Sequence, residues 1–201
     1  MTTARDLAIV ALDVAADTPV EQGDLSLALA AAELFDLVGA KALVLDGDRI
    51  LPSAQSPTGD RLLDEAAAAL VRQEPYESVE DWLWRRGRGL SAAYLDDLER
   101  VGLTARPRGR RIPLRTGRSV LVDSAARRAA EERRAAGEPV LAALAAAAGI
   151  GAEPAEIPEE LAGETPTTVL AAVGNAVMEL EAVRQRRQIE DAAFDNVWRG
   201  Y

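Results

Sequence analysis

Between Val101 and Val122 the chain carries Arg106, Arg108, Arg110, Arg111, Arg115 and Arg118 and no acidic residue. A guanidinium is planar and permanently charged, and it meets a phosphate or carboxylate through two parallel N–H donors. Arg85, Arg86 and Arg88 form a second group upstream. The chain as a whole is acidic, with a formal net charge of −10 and a pI near 4.7, so an acid-free basic stretch concentrates positive potential locally. These residues offer recognition of an anion. The candidate ligands of an anionic headgroup or an acidic partner are Arg85, Arg86, Arg88, Arg106, Arg108, Arg110, Arg111 and Arg115. The competing reading is a solvated face whose arginines pair with Asp and Glu elsewhere.

Composition removes most other chemistry. There is no Cys, hence no thiolate and no disulfide, and no His, hence neither the usual metal ligand nor the usual general base. Asp and Glu are plentiful, yet no pair is marked as an acid–base couple. The chain reads as a non-enzyme that needs no cofactor or metal. Its acidity argues against a nucleic-acid coat and against adhesion of the whole surface to anionic membranes. No apolar run reaches transmembrane length, and Asp6 and Asp13 make the first residues a helix start rather than a secretory signal. A cytoplasmic protein is expected, reaching lipid as a peripheral protein at the inner face of a membrane.

The elements that must position the arginines are helical for the most part. The spacing predicts a helix over Asp6–Val14 with Leu7, Val10 and Ala11 inward, then a TPVEQGD loop. Ser26 is read as the cap of the next helix, with Leu27, Ala30, Leu34, Leu37 and Val38 on its apolar face and Gly39 as its terminator. AKALVLDGDRIL reads as a hairpin turning through a type I′ Asp46-Gly47. Ser56 or Thr58 caps a helix with Leu62, Leu63, Ala66, Ala67 and Leu70 inward, ended by Pro75. Ser78 caps another, with Asp81 as its capping-box acid and Val79, Trp82 and Leu83 buried. Arg85, Arg86 and Arg88 close that helix, where cations suit the dipole. Ser91 caps the next, with Tyr94, Leu95, Leu98 and Val101 inward and Gly102 as its stop.

A basic hairpin follows over 103–122, turning near Thr116-Gly117 with Pro113 on an edge. Asp123 or Ser124 starts a charged helix that Gly137 ends. Val140, Leu141 and Leu144 mark a small helix ending at Gly149. Residues 151–164 form an acidic linker. The last helix, 166–192, is opened by Pro166 with Thr165 as cap, and buries Val169, Leu170, Val173, Val177, Leu180 and Val183. Phe194, Trp198 and Tyr201 are isolated aromatics that could dock on the domain or on a symmetry mate. A chain of 201 residues suits one domain with an aliphatic core.

The stretch from Ser56 to Trp82, SPTGDRLLDE followed by QEPYESVEDW, resembles the signature of the Golgi phosphoprotein 3 family. Weaker similarity runs from Asp6 to the helix near Ile150. The resemblance implies a mostly helical single domain, 1–201, with small β-hairpins. Eukaryotic members bind phosphatidylinositol 4-phosphate and act as adaptors on Golgi membranes; this Ala- and Arg-rich chain is more similar to bacterial members. In the phosphoinositide-binding members a Trp and an Arg lie on the helix corresponding to Leu27–Leu37, and two more Arg on that corresponding to Ser91–Val101. The equivalent positions here fall near Ala30, Ser91, and Ala93 or Tyr94, and no Trp or Arg lies between Ser26 and Val38. The implied function is a peripheral adaptor binding phosphoinositide or anionic membrane without those pocket residues. In the family the hairpin mediates oligomer or membrane contacts, so Ile112, Leu114, Val120, Leu121 and Val122 could pair with a second copy.

Two alternatives are of a different class. One is a soluble protein-interaction scaffold. The other is a winged-helix-like DNA-binding protein, which the order of three short helices and a basic hairpin allows. Asp96, Asp97 and Glu99 on its reading helix oppose it.

Overall fold

A hydrophobic stripe on every face marks α2, Gln22–Gly39, as the element the others surround. It buries Leu25, Leu27, Leu29, Leu34 and Leu37 together with a run of alanines from Ala28 to Ala32. The computed structural model describes residues 2–15, 19–53, 57–105, 120–151, 161 and 163–199, with side chains as far as Asp191. Among them are eight α-helices and two antiparallel strand pairs, so the protein is mostly α with small hairpins. Packed on α2 are α1 (Thr3–Val14), α3 (Arg61–Ala68), α4 (Val79–Arg86), α5 (Leu90–Arg100), α7 (Pro139–Ala147) and α8 (Glu164–Arg199). Helix α6 (Ala125–Ala135) packs on α1 and α7. No helix of the described residues is long and apolar enough to cross a membrane.

The expected helix faces are buried, but several ends differ from expectation. Helix α1 begins at Thr3, with Thr2 as its cap, and its first backbone N–H groups, at Thr3 and Ala4, donate to Asp36 of α2 at 2.9 and 3.0 Å. Helix α2 begins at Gln22, within the expected loop, and Ser26 lies inside it. It is not ended by Gly39. Lys41, at φ 57°, takes the left-handed position, and Ala42 and Lys41 donate to the carbonyls of Leu37 and Val38. That is a Schellman closure built on a lysine.

Strands β1 (Leu43–Asp46) and β2 (Arg49–Pro52) pair with Asp46 opposite Arg49. The two turn residues are therefore Gly47-Asp48, one position later than expected. Only Gly47 has positive φ, which is the type II′ pattern and not I′. The next helix, α3, is capped by Asp60, whose Oδ1 accepts from Leu62 and Leu63. Thr58 instead donates its N–H and hydroxyl to Asp64, each at 2.7 Å; Ser56 lies outside the described residues. Helix α3 ends at Ala68, well before Pro75, although Leu70 is buried as expected. Ser78 does cap α4, and Asp81 accepts its hydroxyl.

Helix α5 is capped by Gly89 in the left-handed region, and Ser91 is its second residue. Gly102 closes it, Leu95 is half-buried and Val101 is 41% exposed rather than inward. Strands β3 (Thr104–Ala105) and β4 (Val120–Leu121) form the base of the second hairpin, Thr104 opposite Leu121. Its turn at Thr116-Gly117, with Pro113, Ile112 and Leu114, lies outside the described residues, as does most of the 151–164 linker. Ser124 caps α6 and Gly137 follows it. Gly149 and Ile150 close α7.

Helix α8 begins at Glu164, so Thr165 lies within it and is not its cap, and its backbone runs to Arg199. Val169, Leu170 and Val173 are buried, but Val183 is 40% exposed: the inward face ends near Leu180. There α8 meets the start of α2. A Cβ on Gly23 would stand 2.6 Å from Leu180 Cδ2, so the missing side chain admits the leucine. Arg184 then grips Asp24 with two bonds of 2.6 and 3.0 Å. The side chains of Phe194, Trp198 and Tyr201 lie outside the described residues.

Candidate functional site

Arg85 and Arg86 are neighbours in sequence, and α4 turns them to different partners. Arg85 meets Glu77 bidentately at 2.6 and 2.7 Å, donates to the terminal carbonyl of Ala69 beyond α3, and lies over the Trp82 ring at 5.2 Å. Arg86 points inward. It meets the fully buried Glu33 of α2 at 2.7 and 2.8 Å and the Leu62 carbonyl of α3 at 3.1 Å. Tyr94 of α5 donates its hydroxyl to the same Glu33 at 3.2 Å. Burial pushes the Glu33 carboxyl up, while Arg86 and Tyr94 hold it back. Burial works against the Arg86 charge, but Glu33 outweighs it and holds the guanidinium protonated. Burial, with the Glu33 charge, drives the Tyr94 phenol well above its usual range. Arg88 is exposed.

Arg86 thus turns away from the surface on which Arg85 and Arg88 are exposed. Arg85 and Arg86 tie α3, α4, α5 and α2 together, and their donors are largely committed. Arg106, Arg108, Arg110, Arg111, Arg115 and Arg118 lie outside the described residues. What is described is their foundation: Ala105 pairs with Val120, β4 packs on α1 and β3 packs on α5. Leu103 accepts from Val122 just below, at 2.9 Å.

The positions near which the resemblance places the family's headgroup contacts carry no cation. Ala30 is buried, and its carbonyl accepts the Trp82 indole N–H at 3.1 Å. Ser91 and Tyr94 are buried and Ala93 is half-buried. The Ser91 N–H donates to Ser26 Oγ at 3.1 Å, so a serine of α2 satisfies an orphan donor at the start of α5. Asp97, one of three acids on α5, is not a surface charge. It is 1% exposed and receives Arg61, Arg100 and Arg5 at 2.8–3.2 Å.

Sequence reasoning missed a cavity of about 630 Å³ beside the β3–β4 base. It lies between α1, α2, α5, β4 and α6, lined by Leu12, Leu25, Leu29, Leu95 and Leu121, with Ser91, Asp13 and Arg127 among its polar groups. No local signal marks it, because five separate elements supply its wall.

The family model for Golgi phosphoprotein 3 matches residues 4–194 of the chain. No curated protein matches the chain.

Proposed function

The chain belongs to the Golgi phosphoprotein 3 family, and from that premise we propose that it is a peripheral adaptor that binds anionic lipid surfaces through the arginines of residues 106–118. The observation that carries this reading is the pairing of Ala105 with Val120. It holds both ends of a segment with six arginines and no acid against the body of an otherwise acidic protein. A polybasic segment gains roughly 1 kcal/mol per Arg near an anionic surface, and the gain is screened by salt. The commitment of Arg85 and Arg86 to Glu77 and Glu33 supports giving the contact to the downstream arginines. The uncharged positions at Ala30, Ser91 and Ala93 support a general anionic preference over recognition of one phosphoinositide headgroup.

Vesicle flotation tests this. Binding to phosphatidylserine vesicles should be strong at low salt, weak at high salt, and no stronger when phosphatidylinositol 4-phosphate carries the same charge. Arg110→Glu with Arg111→Glu should weaken binding at least ~30-fold at roughly 1 kcal/mol for each lost Arg, with an unchanged circular dichroism spectrum. Binding that survives both changes overturns the assignment. Absence of binding to any vesicle favours a soluble protein-interaction scaffold on the same fold.

A further inference from the structure

We infer that the cavity beside β4 is a binding site for an unbranched hydrocarbon chain ending in an uncharged hydroxyl or ester oxygen. Its volume of about 630 Å³ suits a small ligand rather than a partner helix. Leucines from α1, α2, α5 and β4 make the wall, and the lining has no aromatic side chain among the described residues on which a flat ring could stack. A flexible aliphatic chain fits such a wall best.

The polar groups fix the other end. Among the described residues of the lining Arg127 is the one cation, and it is already matched by two acids, Asp13 at 2.7 Å and Glu131 at 2.8 Å. Asp13 and Arg127 on the lining cancel, and Glu131 behind Arg127 takes up its remaining charge, so the described residues offer no positive excess to a carboxylate or phosphate end. Ser91 supplies the attraction. It is 4% exposed and lines the cavity, and its hydroxyl has no hydrogen-bond partner among the described residues. A hydroxyl that opens into a largely apolar cavity and makes no bond to the described residues is free to pair with a ligand oxygen. The inference does not depend on the arginine segment: it uses none of those residues, and it calls for an uncharged ligand where the segment calls for an anionic one.

The test is a titration of the whole protein, labelled at leucine methyl groups, with decanol and with decanoate, read by NMR. Decanol should bind saturably and shift Leu12, Leu25, Leu29, Leu95 and Leu121 together. Decanoate should bind at least tenfold more weakly. Leu95→Trp, a change at a half-buried position of the wall, should fill the cavity and abolish the shifts. Ser91→Ala should weaken decanol roughly threefold to tenfold, the worth of one hydrogen bond. No saturable shifts, shifts that survive Leu95→Trp, or decanoate binding as tightly as decanol would each overturn the proposal. If Leu95→Trp does not fold, Ser91→Ala and the decanol–decanoate contrast still decide. Flotation with neutral phosphatidylcholine vesicles separates two sources of the chain. Weaker flotation of Leu95→Trp assigns it to a bilayer lipid, and equal flotation to a free amphiphile.

Discussion

Arg86 shows what a buried charge pair does in this protein. Its side chain is 16% exposed, and Glu33 is fully buried. Removing one partner leaves an uncompensated charge, which costs about 3–5 kcal/mol. Arg86→Met should therefore lower stability by about that amount in urea unfolding. Adding Glu33→Gln, which can still accept from Tyr94, should recover at least half of the loss. Additive single effects would show that the two residues do not act as a pair. The partnership was invisible in the sequence, because Glu33 stands far upstream and nothing local links it to a helix-terminal arginine. The same holds for Asp97, which reads as one of three acids on a helix face but is enclosed by Arg5, Arg61 and Arg100.

At the level of elements, apolar periodicity located the helices well, and their ends less well. Trp82, Leu83, Tyr94 and Leu98 are buried as their spacing requires. Ser78 caps α4, where a serine, an acid three residues on and a buried face coincide. Ser26 and Ser91 carry a similar local signal, yet neither caps its own helix, since the Ser26 hydroxyl serves the start of α5 across the interface. A hydroxyl preceding an apolar run has the same composition in both cases, and only packing separates them. Two substitutions of opposite sign test these ends. Ser26→Ala should destabilise by about 1 kcal/mol, as loss of a cap does. Lys41→Gly should stabilise by about 1 kcal/mol, because the position is left-handed. Denaturant midpoints moving the other way for either would show that the closure at that end is not limiting.

For the molecule as a whole, the buried acids set the response to pH. Burial raises the carboxyl of Asp6, against the pull of Arg133, and that of Asp36, against the N–H groups of Ala4 and Thr3. A carboxyl with a native pKa above its unfolded value contributes stability that is complete below the unfolded value and lost as pH rises through the native one. Asp97 is opposite. Burial pushes it up, but Arg100 and Arg61 outweigh burial and hold it below the ordinary range. Its contribution is present above the unfolded value and lost as pH falls through the native one. A net charge of −10 adds self-repulsion that also eases as carboxylates protonate. Stability should rise as pH is lowered from neutrality towards the ordinary carboxylate range, then fall below it. Urea midpoints at stepped pH check this, and a steady decline from neutrality downward would contradict it.

Helix α8 carries a consequence for how the molecule opens. Its 36 residues would span about 54 Å as an ideal helix. One face of its first half is core, whereas residues 185–191 are exposed. One unbroken backbone ladder thus joins a part that opens only with the whole molecule to a part that can fray alone. The Asp24–Arg184 clamp stands at the boundary between them. Together with Leu180 seated on Gly23 it stands as a pawl against inward melting, so the outer helix is expected to unwind as far as that boundary while the core stays closed.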